Sequence, residues 1–464
     1  MAEAKTFTIR TFGCQMNEHD SERLAGMFVA QGMTAVESES EADLVIFNTC
    51  TIRENADLKL YSALGHVKAL KEANPHMQVA VGGCMAQKDR GKIQEVAGWV
   101  DVVFGTHNLN QAPELLRRAK SEGPLMEIWE SPDPQAATEM APALYAVREL
   151  PYSAWMTIQT GCDNSCAYCI VPSVRGGEIS RPLEDLLTEA HMLVDSGVTE
   201  ITVLGQNVNS YGRDITGRSP LFPNLLRSLG EIEGLERIRF TSPHPKDLSS
   251  ETIRAMHETP TVCNHLHLPL QSGSDRVLTG MRRGYHVDRY RRILDEARNT
   301  IPDLAVTTDL IVGFPGETDA EFEETLKVVA EFAFDLAYTY IFSPREGTRA
   351  AQMTEEFVSD ALVAERFGRL KEVLDRSALV HHQARVGRTE EVLVEGPSRR
   401  NDQMISGRTR QGKLIHFPVT QTPMRAGSLA QVLVVHGAPY HLLGTEVALL
   451  RGPKHKTRIP ITIS

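Results

Sequence analysis

The chain has 464 residues, enough at ~100–200 residues per domain for two to four domains. Hydrophobic residues at 41% and charged residues at 23% exclude a largely disordered chain, and the length excludes a mini-protein stapled by disulfides. The net charge of −11 argues against a general nucleic-acid binder, yet residues 381–464 carry 12 Lys/Arg against 5 Asp/Glu, so an acidic body carries a basic end.

Residues 5–120 alternate strand and helix. Phe7–Phe12, Leu44–Asn48, Val79–Gly82 and Val102–Phe104 read as strands. Helical patterns follow at Glu18–Gln31, Glu54–Glu72, up to Val96, and Asn110–Arg118. The alternation predicts a Rossmann-like parallel α/β domain over residues 1–125. Residues 126–150 are Pro-rich and read as a linker. A second βα series occupies 151–384, with strands at Ala154–Thr160, Glu200–Leu204, Arg237–Thr241, His265–Leu268, Ala305–Ile311 and Leu336–Phe342. Helical patterns at Leu183–Val194, Leu225–Ile232 and Glu321–Glu331 separate them. Six units predict a (βα)6 partial TIM barrel. A long helix near Glu355–Gln383 leads out of it. Short strand-like runs at Glu391–Val394, Leu414–Phe417 and Ala430–Val435 predict a small β-barrel over 385–450, with a tail at 451–464. No run of ~18 apolar residues predicts a membrane span, and Met1–Thr6 lacks the apolar stretch of a secretory signal. The expected location is the cytoplasm.

Seven cysteines in a reducing compartment point to metal or catalysis rather than disulfides. Cys14, Cys50 and Cys84 are spaced by 36 and 34 residues, one βα unit each time. All three fall just past the carboxyl end of a strand, where parallel sheets build their sites. Three buried core cysteines are the alternative; three matching junctions favour a shared metal site. Cys162, Cys166 and Cys169 form a C-x3-C-x2-C loop after the first barrel strand. Structural zinc wants a fourth ligand, and no cysteine or histidine lies near enough in sequence. Three thiolates on a [4Fe–4S] cube leave one iron open for a ligand. Cys263 has no partner spacing and reads as a buried thiol.

The C-x3-C-x2-C loop with Tyr168 before its last cysteine resembles the radical S-adenosylmethionine enzymes. The three spaced cysteines, that loop and the terminal β-domain together resemble the methylthiotransferases, whose C-terminal module is called TRAM. The segments Gly13-Cys-Gln-Met-Asn17, Asn48-Thr-Cys-Thr-Ile-Arg-Glu54 and Gly83-Cys-Met-Ala-Gln87 resemble the MiaB type. That resemblance implies methylthiolation at C2 of N6-isopentenyladenosine beside the anticodon of tRNA. It implies a radical cluster on Cys162, Cys166 and Cys169, and an auxiliary [4Fe–4S] cluster on Cys14, Cys50 and Cys84. It implies two molecules of S-adenosylmethionine per turnover, an electron donor such as flavodoxin or ferredoxin, and a sulfur source. Tyr168, Gln206, Asn207, Ser272, Asp309 and Gly313, at the barrel mouth, resemble the family's cofactor-binding segments. Arg399, Arg400, Arg408, Arg410 and Lys413 cluster in the β-domain as candidate RNA contacts. Two other readings stay open at this point. One is the same chemistry on threonylcarbamoyladenosine in tRNA or on a ribosomal-protein aspartate. The other is a non-enzymatic iron–sulfur protein that binds RNA.

Overall fold

The computed structural model describes residues 5–51, 56–131, 147–418 and 424–454. Most of the expected linker, the end of the second cysteine segment at Ile52-Arg53-Glu54, and most of the tail lie outside the described residues.

The N-terminal sheet is parallel. Its strands are β1 (Thr6–Phe12), β2 (Thr34–Ala35), β3 (Leu44–Thr49), β4 (Gln78–Gly83), β5 (Val102–Phe104) and β6 (Leu125–Glu127), in the order β2-β1-β3-β4-β5-β6. Strands β3, β4 and β5 are buried along their whole length, because helices cover both faces. Val45, Phe47, Val79 and Val81 point into one apolar layer; Leu44, Ile46 and Ala80 point into the other.

The second unit begins with β7 (Ser153–Thr157). The short β8 (Gln159–Thr160) and β9 (Ile179–Ser180) pair antiparallel beside it. Then come β10 (Glu200–Leu204), β11 (Arg237–Phe240), β12 (His265–His267), β13 (Ala305–Val312) and β14 (Leu336–Ile341). They form two parallel triplets, β7-β10-β11 and β12-β13-β14, joined where Ile238 bridges Val262. The result is the (βα)6 partial barrel, open between β7 and β14. Its core lies between strands and outer helices: Met156, Ile201, Ile238, Leu266 and Leu310 meet Leu225, Leu229, Tyr290 and Phe322.

The long helix Asp360–Gln383 starts five residues later than the pattern predicts. Residues Thr354–Glu356 form a separate 3-10 turn, and Ser359 is extended at the helix N-cap. The terminal barrel is closed: β15 (Thr389–Ser398), β16 (Asn401–Thr409), β17 (Leu414–Pro418), β18 (Leu429–Gly437) and β19 (Leu442–Arg451), in the order β15-β16-β17-β19-β18. Val392, Ile405, Ile415, Phe417 and Val432 fill it, so Phe417 is core. Among the described residues, no helix is long and apolar enough to cross a membrane.

Candidate functional site

The first triad is set by register. Thr49 of β3 stands opposite Phe12 of β1 and Gly83 of β4. The three strands therefore end level, about 5 Å apart. Cys14, Cys50 and Cys84 emerge at that one edge. Side chains of the flanking segments clasp the loops together. Asn17 Nδ2 donates to Thr49 O at 3.2 Å, Asn48 Nδ2 donates to Asn17 O at 2.8 Å, and Thr49 Oγ1 donates to Gly82 O at 2.7 Å. Gly83 has φ 94°, and a Cβ there would lie 2.5 Å from Asn48 Oδ1 and Thr49 O. Only glycine fits this junction.

The Cys14 thiol is pulled down to about 5, first by a hydrogen bond with Cys50; burial opposes this and the Arg175 charge adds to it. Burial pushes Cys84 up, against the pull of Arg175. Arg175 ends the helix Val171–Arg175, directly after the second triad, and its Nη2 donates to Asp20 Oδ2 at 2.9 Å. Ile170 and Val174 pack on Cys84. The two cysteine triads are thus neighbours across one apolar contact, with Ile170 following Cys169 in sequence.

The second triad sits on a tight loop. Cys162 N donates to Gly176 O at 3.1 Å, and Cys169 N donates to Cys166 O at 3.1 Å. Gly161 has φ 78°, and a Cβ there would lie 1.9 Å from Gly177 O. The outer rim is fixed by Ala167 N donating to Met281 O at 2.9 Å and Ala350 N donating to Ala167 O at 2.8 Å. Tyr168 packs beside Ala167, Met281 and Phe314. Burial raises Cys162 and pushes Cys169 up to about 12. Arg283 is buried and its Nη1 donates to Cys166 Sγ at 3.4 Å. Among the described residues, no three of His, Cys, Asp or Glu converge closely enough to hold a single metal ion. Three cysteines on the ends of three strands and three on one loop, with a buried guanidinium near each set, fit anionic thiolate clusters in charge and in donor type.

The barrel mouth carries unsatisfied polar atoms. Gln159 Oε1, Gln206 Oε1, Asn207 Oδ1, His244 Nε2 and Gln271 Oε1 are buried without a hydrogen-bond partner among the described residues. They lie past the ends of four strands that are neighbours in the barrel, β7, β10, β11 and β12. An unpaired buried polar group costs about 1–3 kcal/mol, so this row fits a polar ligand that supplies the missing partners. The Nδ1 of His244 accepts from Lys246 N at 3.1 Å. Burial pushes His244 down to about 2, so the neutral ring carries its proton on Nε2 and offers a donor. Gln271 and Ser242 hold φ of 72° and 61°, a conformation rare outside glycine, at the same rim.

The sequence-predicted mouth residues divide. Gln206 and Asn207 belong to the unsatisfied row, and Asn207 Nδ2 also donates to Asp247 Oδ2 at 2.9 Å. Asp309 faces the barrel interior, 3.4 Å from His267 Nε2. Ser272 turns away from the mouth: its hydroxyl lies 3.3 Å from Thr325 Oγ1 on the helix Asp319–Phe332. Gly313 makes room for the long helix, since a Cβ there would lie 2.6 Å from Val363 Cγ2. Gln159, His244, Gln271, Arg175 and Arg283 carry no spacing signature that would single them out. Cys263 is buried.

The five basic residues of the β-domain do not form one patch. Arg399 and Arg400 are exposed at the β15–β16 turn, and Arg408 is exposed but paired with Glu395 at 2.8 Å. Lys413 is buried and Arg410 is half-buried, and both tie the β-domain to the barrel half instead of standing free at its surface. Arg410 Nη2 donates to Val262 O at 3.0 Å, and the Lys413 ammonium sits 2.6 Å from Asp335 Oδ1 with side chains 5% and 9% exposed. The turn that carries them plugs the lower end of the partial barrel, where Arg239 Nη2 donates to Thr409 O at 2.9 Å. Burial pushes the Asp335 carboxyl up, but the Lys413 and His381 charges outweigh it and hold it below the ordinary carboxylate value. This contribution to stability is present above the ordinary carboxylate pKa and is lost as pH falls through the lower, folded value. Lys413→Ala is expected to destabilise the protein by about 3–5 kcal/mol at neutral pH, because it strands a buried carboxylate. Urea unfolding of wild type and variant checks this.

Comparison with known proteins agrees with this layout. The model described as "Uncharacterized protein family UPF0004" matches residues 6–105, and the "Radical SAM superfamily" model matches residues 156–329. The chain is 50% identical over 448 residues to the tRNA-2-methylthio-N(6)-dimethylallyladenosine synthase of Parafrankia sp. (strain EAN1pec), covering 94% of this chain and 89% of that one. It is 49% identical to the protein of the same name from Thermobifida fusca (strain YX), covering 96% and 89%. Among solved structures it resembles the radical S-adenosylmethionine methyltransferase TsrM from Kitasatospora setae, with TM-score 0.57, 13% identity and coverage of 75% and 77%. It also resembles the cobalamin-dependent S-adenosylmethionine radical enzyme OxsB, with TM-score 0.51, 11% identity and coverage of 80% and 56%. At these identities the structures speak for the fold alone. The near full-length relatives speak for more: the chain belongs to the tRNA-2-methylthio-N(6)-dimethylallyladenosine synthase family and is a radical S-adenosylmethionine methylthiotransferase, whose radical chemistry uses a [4Fe–4S] cluster and S-adenosylmethionine.

Proposed function

We propose that this enzyme adds a methylthio group at C2 of N6-isopentenyladenosine next to the anticodon of tRNA, using two [4Fe–4S] clusters and two molecules of S-adenosylmethionine per turnover. The observation that carries the two-cluster reading is the level register of β1, β3 and β4, which delivers Cys14, Cys50 and Cys84 to one edge beside the radical loop. Cys162, Cys166 and Cys169 would hold the cluster whose chemistry is electron supply for cleavage of S-adenosylmethionine, and Cys14, Cys50 and Cys84 would hold one that carries the transferred sulfur.

The chain's own residues do the rest. Gln206, Asn207 and His244 orient the cofactor's polar groups, with Gln159 and Gln271 beside them. Asp309 and His267 face the open barrel interior, where the base would enter. Tyr168 backs the radical loop. Ser272 and Gly313 support this site from behind. Arg399, Arg400 and Arg408 meet the tRNA backbone as unspecific phosphate contacts. A reduced flavodoxin or ferredoxin would give electrons, a sulfide donor would renew the sulfur, and the cytoplasm holds both. Arg399→Glu with Arg400→Glu is expected to weaken tRNA binding about equally for all tRNA sequences. It should also lower the salt slope by about one for every phosphate that is no longer neutralised. A filter-binding series at several salt concentrations reads both effects.

The reaction is tested by anaerobic incubation of the reconstituted enzyme with tRNA carrying N6-isopentenyladenosine, S-adenosylmethionine, sulfide and dithionite. Mass analysis of the nucleosides should show 2-methylthio-N6-isopentenyladenosine. Unchanged N6-isopentenyladenosine alongside active cleavage of S-adenosylmethionine would overturn the substrate assignment.

A further inference from the structure

Each cysteine triad has one buried arginine beside it. Arg283 serves the second triad, with its Nη1 3.4 Å from Cys166 Sγ. Arg175 stands in the matching place at the first. It is 6% exposed, and its Nη2 donates to Asp20 Oδ2 on the helix Gln15–Ala30 at 2.9 Å. Arg175 belongs to the barrel half of the chain, whereas Asp20 and the three cysteines belong to the other half. The segment behind it is fixed twice. Thr106 Oγ1 donates to Val174 O at 2.6 Å, and Ile170 and Val174 pack against Cys84. Val174, the residue before Arg175, lies directly on Cys84, which brings the guanidinium's helix end against the first triad. Arg23 and Arg181 lie in the same buried network, and Arg181 is matched by Glu189 at 2.6 Å. Among the described residues Asp20 is the carboxylate hydrogen-bonded to Arg175, and it also lies 4.0 Å from the Arg23 guanidinium, so it is shared between two cations.

We propose that Arg175 is a positioning residue of the auxiliary site, holding the cluster on Cys14, Cys50 and Cys84 against the barrel half and raising that cluster's reduction potential. This rests on the two-cluster reading above. Hydrogen bonds to sulfur and nearby charge set the potential of an iron–sulfur centre. Reduction adds one electron from the reductant and neither makes nor breaks a bond. The reduced centre is one charge more negative, so a fixed cation favours it. Asp20 acts in the opposite sense and tempers the effect.

The experiment uses the full chain with Cys162, Cys166 and Cys169 replaced by alanine, so that only the auxiliary cluster reports. A redox titration followed by electron paramagnetic resonance compares Arg175, Arg175→Lys, Arg175→Met and Asp20→Asn. Arg175→Met should lower the reduced-to-oxidised ratio at a fixed poise by about tenfold, which is about 59 mV for one electron. Asp20→Asn should raise that ratio, and Arg175→Lys should stay near wild type. If Arg175→Met loses its iron while Arg175→Lys keeps it, and the two apo chains melt alike, the positioning role is supported. A wild-type potential in Arg175→Met, or iron lost equally from both Arg175 variants, overturns the proposal. No iron in the chain that retains Arg175 would instead remove the two-cluster reading itself, and this proposal with it.

Discussion

With Cys14, Cys50 and Cys84 all replaced by alanine, the enzyme is expected to keep cleaving S-adenosylmethionine under reducing conditions while transferring no methylthio group. The two triads are separate structures. The first hangs on the ends of β1, β3 and β4; the second is a single loop closed by Gly176 and pinned by Met281. They meet where Ile170 and Val174 pack on Cys84, beside the ties of Arg175 to Asp20 and of Thr106 to Val174, and alanine at Cys84 keeps the Cβ of that contact and leaves both ties in place. The radical loop should therefore keep its shape. The rate of methylthio transfer should fall by at least about 10⁴-fold, since the removed group carries the chemistry rather than tuning it. The rate of 5′-deoxyadenosine formation should stay within about tenfold of wild type, a shift of about 1.4 kcal/mol in barrier. Chromatography of the products from one reaction reads both numbers. Loss of both activities together would mean that the N-terminal sheet is needed to build the radical site.

Replacing Cys162, Cys166 and Cys169 is expected to stop everything. No 5′-deoxyadenosine and no modified nucleoside should form, again a fall of at least about 10⁴-fold. The fold should survive, because the loop carries little of the barrel core. Met156, Val203 and Leu310 belong to the continuous apolar layer behind the strands, and the three cysteines are half-buried outside it. A thermal melt within a few degrees of wild type, with activity gone, is the expected pair of results. A large fall in melting temperature would show instead that the loop is a structural element.

Much of this layout is legible in the sequence because it follows chain order. The C-x3-C-x2-C spacing is local, and the 36- and 34-residue intervals report one βα unit each. Strands β3, β4, β10 and β13 are apolar runs that periodicity finds to within about two residues at either end. Strands β2 and β6 are not legible. They have two and three residues, and they form because β1 and β5 offer them an open hydrogen-bonding edge. β16 opens with Asn401-Asp-Gln403, which reads as turn, and its partners β15 and β17 hold it extended. The arginines at the cysteines are hidden for a different reason. Asp20 and Arg175 are 155 positions apart, and no pattern in either segment points to the other. Arg410 and Lys413 mislead for the converse reason. Five cations within fifteen positions suggest a patch, but the turn after β16 folds two of them inward against Val262 and Asp335.

The most direct test of the account is the iron and sulfide content of the anaerobically reconstituted chain, measured for wild type and for each triple cysteine variant. Two independent cubes predict about eight irons in wild type and about four in either variant. About four irons in wild type, with the same number after removal of Cys14, Cys50 and Cys84, would contradict it. The level edge of β1, β3 and β4 would then hold no cluster, and the sulfur-inserting site would have to be sought elsewhere.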